Sequence, residues 1–134
     1  MTRIPFDWTT VYGITQYPGG TGTKKFVPVT PWIQAARVQR IKAVWEMIVL
    51  QTNLSVQFGF QVANVENSAT SDATNYVVDS AVTADGFSYG AVTDISTHVD
   101  DKQLVRFGFY TWNTAGALLV AGRVGGYVDI DANS

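Results

Sequence analysis

The chain contains no cysteine, which removes disulfides, thiolate metal centres and thiol nucleophiles in one step. It has one histidine, His98, so no multi-histidine metal site can form and a single imidazole is available as a base. Charge is sparse as well. Charged residues make up 15% of the 134 positions, against roughly a quarter in an average soluble domain. The nine lysines and arginines are scattered and the formal net charge is -2, so the basic stripe that phosphate backbones require is missing. Long apolar runs are missing too. The strongest, AVWEMIVL from Ala43 to Leu50, is interrupted by Glu46, and the N-terminal MTRIPFDWTTVYG has no apolar stretch of the signal-peptide kind. These absences exclude nucleic acid and membrane from the expected partners and point to a chain made in the cytoplasm without a signal peptide.

What is present is β-forming. Hydrophobic residues reach 46% and aromatics 13%, and the Phe, Tyr, Trp, Val and Ile among them suit a pleated, half-buried surface. A chain of this length buries about two thirds of its unfolded surface in one core, so a single domain is expected. Residues 1–31 read differently from the rest. They hold Pro5, Pro18 and Pro28, the cluster Gly19-Gly20-Thr21-Gly22, and the isolated aromatics Phe6, Trp8, Tyr12 and Tyr17. Proline and glycine at that density punctuate rather than build. The segment is read as an extended N-terminal arm with one short strand around Lys25 to Val29, whose four aromatics make its contacts. Whether the arm lies on its own domain or on another copy stays open.

Residues 32–134 read as one β-sandwich domain. Between Ile33 and Leu50 a helix is the competing reading, but Arg37, Gln39, Arg40, Lys42 and Glu46 would spread around most of its circumference. Alternation fits better: Ile41, Ala43, Trp45, Met47 and Val49 share one face of a strand. Further on, Val56 to Asn64 (VQFGFQVAN) is echoed by Val105 to Asn113 (VRFGFYTWN). In both, Val, Phe and Phe alternate with Gly and polar residues, marking two equivalent core strands, with duplication and convergent packing both open. Polar stretches such as ENSATSDATN supply turn chemistry between strands. The pattern predicts an all-β fold, an antiparallel sandwich of seven to nine strands, jelly-roll or immunoglobulin-like.

Reactive chemistry is hard to find. Gly86-Phe87-Ser88-Tyr89-Gly90 matches G-x-S-x-G, and Asp94 and His98 follow in hydrolase order. The pattern fails its context, because a nucleophile elbow needs a strand, a strained turn and a helix, whereas Asp85-Gly86 reads as a turn leading into a strand. GGTGTKK, residues 19–25, departs from the phosphate-loop pattern because Thr23 follows Gly22 where lysine is required. The aspartates Asp72, Asp79, Asp85, Asp94, Asp100, Asp101, Asp129 and Asp131 form no ordered D-x-D-x-D-G run. No catalytic residue, metal ligand or cofactor is therefore expected, with calcium between loops left as an open alternative.

The last two strands, LVRFGFYTW and LLVAGRVGGYVDID, read as a hairpin across NTAGA. Such a hairpin would bring Arg106, Tyr110 and Trp112 onto one surface with Arg123 and Tyr127. Tyr, Trp and Arg are the residue types enriched at binding hot spots. The expectation is a non-enzymatic structural protein that self-assembles as a homo-oligomer, or with other structural subunits, into a symmetric shell, fibre or surface lattice. A bacteriophage virion protein (capsid, decoration or tail) is its concrete form. The alternative is a carbohydrate-binding sandwich in which the same platform stacks on a glycan.

Overall fold

In a computed structural model, residues 2–14, 24–50, 53–64, 74–113 and 119–131 are described, the side chains of 12–14 and 119 excepted. Ten strands run through these residues: β1 (Thr2–Ile14), β2 (Lys25–Pro28), β3 (Ile33–Gln34), β4 (Arg40–Val49), β5 (Leu54–Ala63), β6 (Thr74–Val77), β7 (Gly86–Tyr89), β8 (Thr93–Asp94), β9 (Leu104–Asn113) and β10 (Leu119–Asp131). One helical turn, α1 (Ser96–Val99), precedes β9. All pairings are antiparallel. The first sheet has the order β1-β10-β4-β7, with β8 also on β4, and the second β2-β9-β5-β6, with β3 also on β9.

Two of these strands are continuations. β3 pairs with β9 further along the line that β2 begins, and β8 does the same beyond β7 on β4. Pro28 and Pro31 flank the first interruption and lack the N–H a ladder needs. Thr30 bridges it, its hydroxyl accepting the Phe107 N–H at 2.9 Å. Counting each interrupted strand once leaves eight, and the chain alternates between sheets in jelly-roll order. The choice between jelly roll and immunoglobulin-like topology is thereby decided for the jelly roll.

The core lies between the sheets and is aromatic at its centre. Phe109 of β9 meets Phe58 of its own sheet edge-on at 5.6 Å, and crosses to Trp45 at 4.7 Å and Phe6 at 5.6 Å in the other. The alternation read for β4 holds: Ile41, Ala43, Trp45 and Met47 are all buried. The internal echo has a packing reason. β5 and β9 are neighbours, and their F-G-F triplets face each other, Phe58 opposite Phe109, Gly59 opposite Gly108 and Phe60 opposite Phe107. The glycines leave room on the outer side: a Cβ at Gly59 would stand 2.5 Å from the Tyr110 ring, and one at Gly108 would stand 2.8 Å from Pro28 Cα.

The described part of the expected arm is built into the sandwich. β1 pairs with β10 along nearly its whole length and β2 with β9, so residues 2–14 and 25–28 lie on their own domain, one strand in each sheet. The short strand expected around Lys25 is present; the long one at Thr2–Ile14 is the correction. Its alternation is hidden by a bulge. Phe6 pairs with Gly126 and Thr9 with Val124, so three steps on β1 answer two on β10, and the extra residue changes the phase. Phe6 and Val11 therefore both reach the core although an unbroken strand would point them to opposite faces. Pro5 is tolerated because β1 is an edge.

Candidate functional site

The expected hairpin of β9 with β10 does not form. β9 is central in the second sheet and β10 central in the first, so their outward rows lie on opposite sides of the sandwich. Arg123 and Tyr127 are placed on one outer face, and Arg106, Tyr110 and Trp112 belong to the other.

On the first sheet, β10 places Arg123, Gly125, Tyr127 and Asp129 outward. Because Gly125 has no side chain, the Trp8 indole of the bulge lies over it; a Cβ there would stand 3.0 Å from Trp8 Cδ2. Across β4, Glu46 pairs with both Gly125 and Phe87, and Val44 with both Tyr127 and Tyr89. The outcome is a depression of about 330 Å³ over the two glycines Gly125 and Gly126, walled by Trp8, Phe87 and Tyr127. Trp8 is 42% exposed, Phe87 63% and Tyr89 74%, well above what a closed sandwich leaves to aromatics. Around this apolar centre stand two ion pairs. Arg3 donates through Nε to Asp129 Oδ1 at 2.9 Å and through Nη2 to Oδ2 at 3.2 Å, and its guanidinium lies 3.8 Å over Tyr127. Hydrogen bonding from Arg3 holds the Asp129 carboxyl below the ordinary range. Arg40 pairs with Asp131.

The other face is built differently. Tyr110 is buried, covered by Phe26 of β2 at 5.0 Å, and its hydroxyl donates to the Phe60 carbonyl at 3.1 Å. Burial pushes that phenol up to about 12, so Tyr110 supports the sheet and takes no part in an open platform. Arg106 donates through Nε to Gln61 Oε1 at 2.8 Å and lies 4.5 Å over the Trp32 ring. Trp112 is half-buried beneath the Lys24 ammonium, 4.6 Å from its ring centroid.

Of the four expected arm contacts, Phe6 is core and Trp8 is on the aromatic face. Tyr12 lies in β1 opposite Ala121, its side chain outside the described residues, and Tyr17 lies outside them altogether. Sequence reasoning missed Phe87, Tyr89, Val44 and Glu46 as members of the face. The alternation of Phe87 with Tyr89 in a short strand carried the signal, though not the sheet it joins.

Ser88, Asp94 and His98 are held by separate contacts. Ser88 sits opposite Trp45 in the β4–β7 ladder. Asp94 accepts the Ser96 N–H at 2.8 Å, and hydrogen bonds from Ser96 hold its carboxyl below the ordinary range. His98 stacks on Tyr76 at 4.2 Å. Among the described residues no hydrogen bond joins the three, and no group of three or more potential metal ligands occurs.

Solved structures of infectious bursal disease virus share this fold. The Gx strain structure superposes with a TM-score of 0.58 at 13% identity, and the Gt strain structure with 0.61 at 9%. A structure of T=1 particles derived from the same virus gives 0.59 at 12%. Each match covers 95% of this chain but only 30 to 32% of the other, so the chain spans less than a third of their length. At these identities the likeness is one of fold. No protein-family model and no curated protein matches the sequence. Among the described residues no helix is long and apolar enough to cross a membrane.

Proposed function

We propose that this chain is a non-catalytic structural protein that assembles with copies of itself into a viral shell, and that its place is a bacteriophage virion. The observation that carries the reading is the outer face of the first sheet, where Trp8 and Phe87 stand exposed around a glycine-floored depression and Tyr89 stands exposed beside Phe87. An exposed aromatic patch of that kind marks an interaction surface. The fold likeness to particles of infectious bursal disease virus supports it.

Magnitudes say what sort of assembly this face can drive. Each aromatic side chain offers about 150–250 Å². Covering the exposed parts of three of them removes roughly 350 Å² from water, a gross gain of about 9 kcal/mol. Association itself costs about 4–15 kcal/mol, so one such contact is weak and a closed assembly must combine several. Sedimentation velocity over a wide concentration range tests the proposal. Oligomers that dissociate on Phe87→Ser and Tyr89→Ser are the expected result, and a chain that stays monomeric at every concentration overturns it.

A further inference from the structure

Among the described residues, no ion pair joins the cations on the outer face of the second sheet to a carboxylate. Arg106 is half-buried there, and among the described residues no acidic side chain pairs with it. Burial lowers its pKa, with Tyr110 acting in the opposite sense. It is nonetheless held in place. Its Nε–H is fixed on Gln61 Oε1, and the Gln61 amide donates in turn to Asn75 Oδ1 at 2.9 Å. Its plane is supported by Trp32 at 4.5 Å and Phe26 at 5.6 Å. A guanidinium has five N–H donors in a fixed fork. With one spent on Gln61, the other four are oriented and, among the described residues, have no acceptor.

We propose that Arg106 anchors a binding site for an acidic sugar, a hexuronate whose carboxylate takes the free end of the fork. A planar carboxylate matches that fork in a bidentate way. The guanidinium is only partly exposed, laid on Trp32 at 4.5 Å with Phe26 at 5.6 Å, which favours a slender ligand over a protein surface. The neighbouring groups suit hydroxyls: Gln61 and Asn75 lie beside it with side-chain amides that keep donor and acceptor capacity beyond the bonds they already make. Farther along the same face Lys24, bound to Gln57 Oε1 at 3.3 Å, adds positive charge. The site lies on the face opposite the assembly surface and does not depend on it.

The test is titration of the full chain, followed by amide chemical shifts, with D-glucuronate, D-glucose and acetate. Glucuronate is expected to bind at least about tenfold more tightly than either, a difference worth about 1.4 kcal/mol. Arg106→Lys, which keeps the charge but loses the fork, should abolish that preference, and Gln61→Met, which keeps the arginine but frees it, should weaken it. Equal affinity for glucuronate and glucose, acetate binding as tightly as glucuronate, or an unaltered preference in Arg106→Lys would each overturn the proposal. So would Arg106→Lys dissociating the assembly without any glucuronate binding by the parent chain, which would make a neighbouring subunit the occupant.

Discussion

The two outer faces of the sandwich are made from the same residue types and arrange them in opposite ways. On the first sheet, two arginines are matched by carboxylates, Arg3 with Asp129 and Arg40 with Asp131, Arg123 lies 6.0 Å over Trp8, and the aromatics Trp8, Phe87 and Tyr89 are left facing out. On the second, the aromatics are used up beneath cations, Trp32 under Arg106 and Trp112 under Lys24, and among the described residues no ion pair answers the charge. One face thus carries two ion pairs around an apolar centre; the other, among the described residues, carries cations on apolar supports without an ion pair. Such a partition is suited to a protein partner on one side and a polar, anionic ligand on the other.

What the faces share is the core, and the largest effect comes from breaking it. Phe109 touches Phe58 in its own sheet and Trp45 and Phe6 across the sandwich. Phe109→Ala should cost about 4 kcal/mol, the range for truncating a buried aromatic, and lower the urea midpoint accordingly. Both faces should be lost in one transition. Separate unfolding of the two sheets would show that they are not held by a common core.

Next in size are the glycines, which test the faces one at a time. A Cβ at Gly126 would stand 2.6 Å from Trp45 Cα, forcing β10 from β4, while one at Gly59 would stand 2.5 Å from the Tyr110 ring in the second sheet. Gly126→Ala and Gly59→Ala should each cost about 2–3 kcal/mol in denaturant unfolding. Gly126→Ala should also weaken assembly, because it shifts the floor of the aromatic depression. Gly59→Ala should leave assembly intact and disturb only the face that carries Arg106.

A smaller effect on stability, but the sharpest on the comparison, is expected from Phe87→Ser with Tyr89→Ser. Both side chains stand on an edge strand with most of their surface in water, so stability should move by no more than about 0.5 kcal/mol. Assembly, read by sedimentation, should be lost. A stability loss as large as that of a core truncation would mean that the pair packs internally, and the first face would lose its claim as an interface.

These contrasts mark where the sequence could be read and where it could not. Local alternation exposed β4, β5 and β9, because each keeps one row of Ile, Val, Phe or Trp inward without interruption. It failed at β1, where the bulge at Asp7 and Trp8 changes phase and makes a strand resemble an irregular leader. Sheet membership was illegible for a different reason. Whether β10 pairs with β9 or crosses the sandwich is settled by long-range partners, β1 and β4, that leave no trace in the residues of β10 themselves. Arg123 and Tyr127 were therefore identified as outward residues but assigned the wrong companions. The turn at Asp85-Gly86 marks the strand that Phe87 and Tyr89 belong to, and only the β4 register shows that they complete the Trp8 face.

The smallest effect is a pH dependence of opposite sign at two carboxyls. Asp129, on the aromatic face, has its folded pKa lowered, first by hydrogen bonding from Arg3. Its contribution is present above the unfolded carboxylate value and lost as pH falls through the folded one. Asp79, where the connection from β6 to β7 crosses between sheets, has its folded pKa raised by burial. The unfolded chain then releases this proton first, so stability falls as pH rises from the unfolded value to the folded one, and the cost persists above it. Asp129→Asn should therefore lower the melting temperature at neutral pH, with the deficit closing in acid. Asp79→Asn should raise it at neutral pH, with the gain closing in acid. Parallel shifts in the two variants would mean that Arg3 does not hold Asp129 in solution, and the ion pairing that distinguishes the first face from the second would be gone.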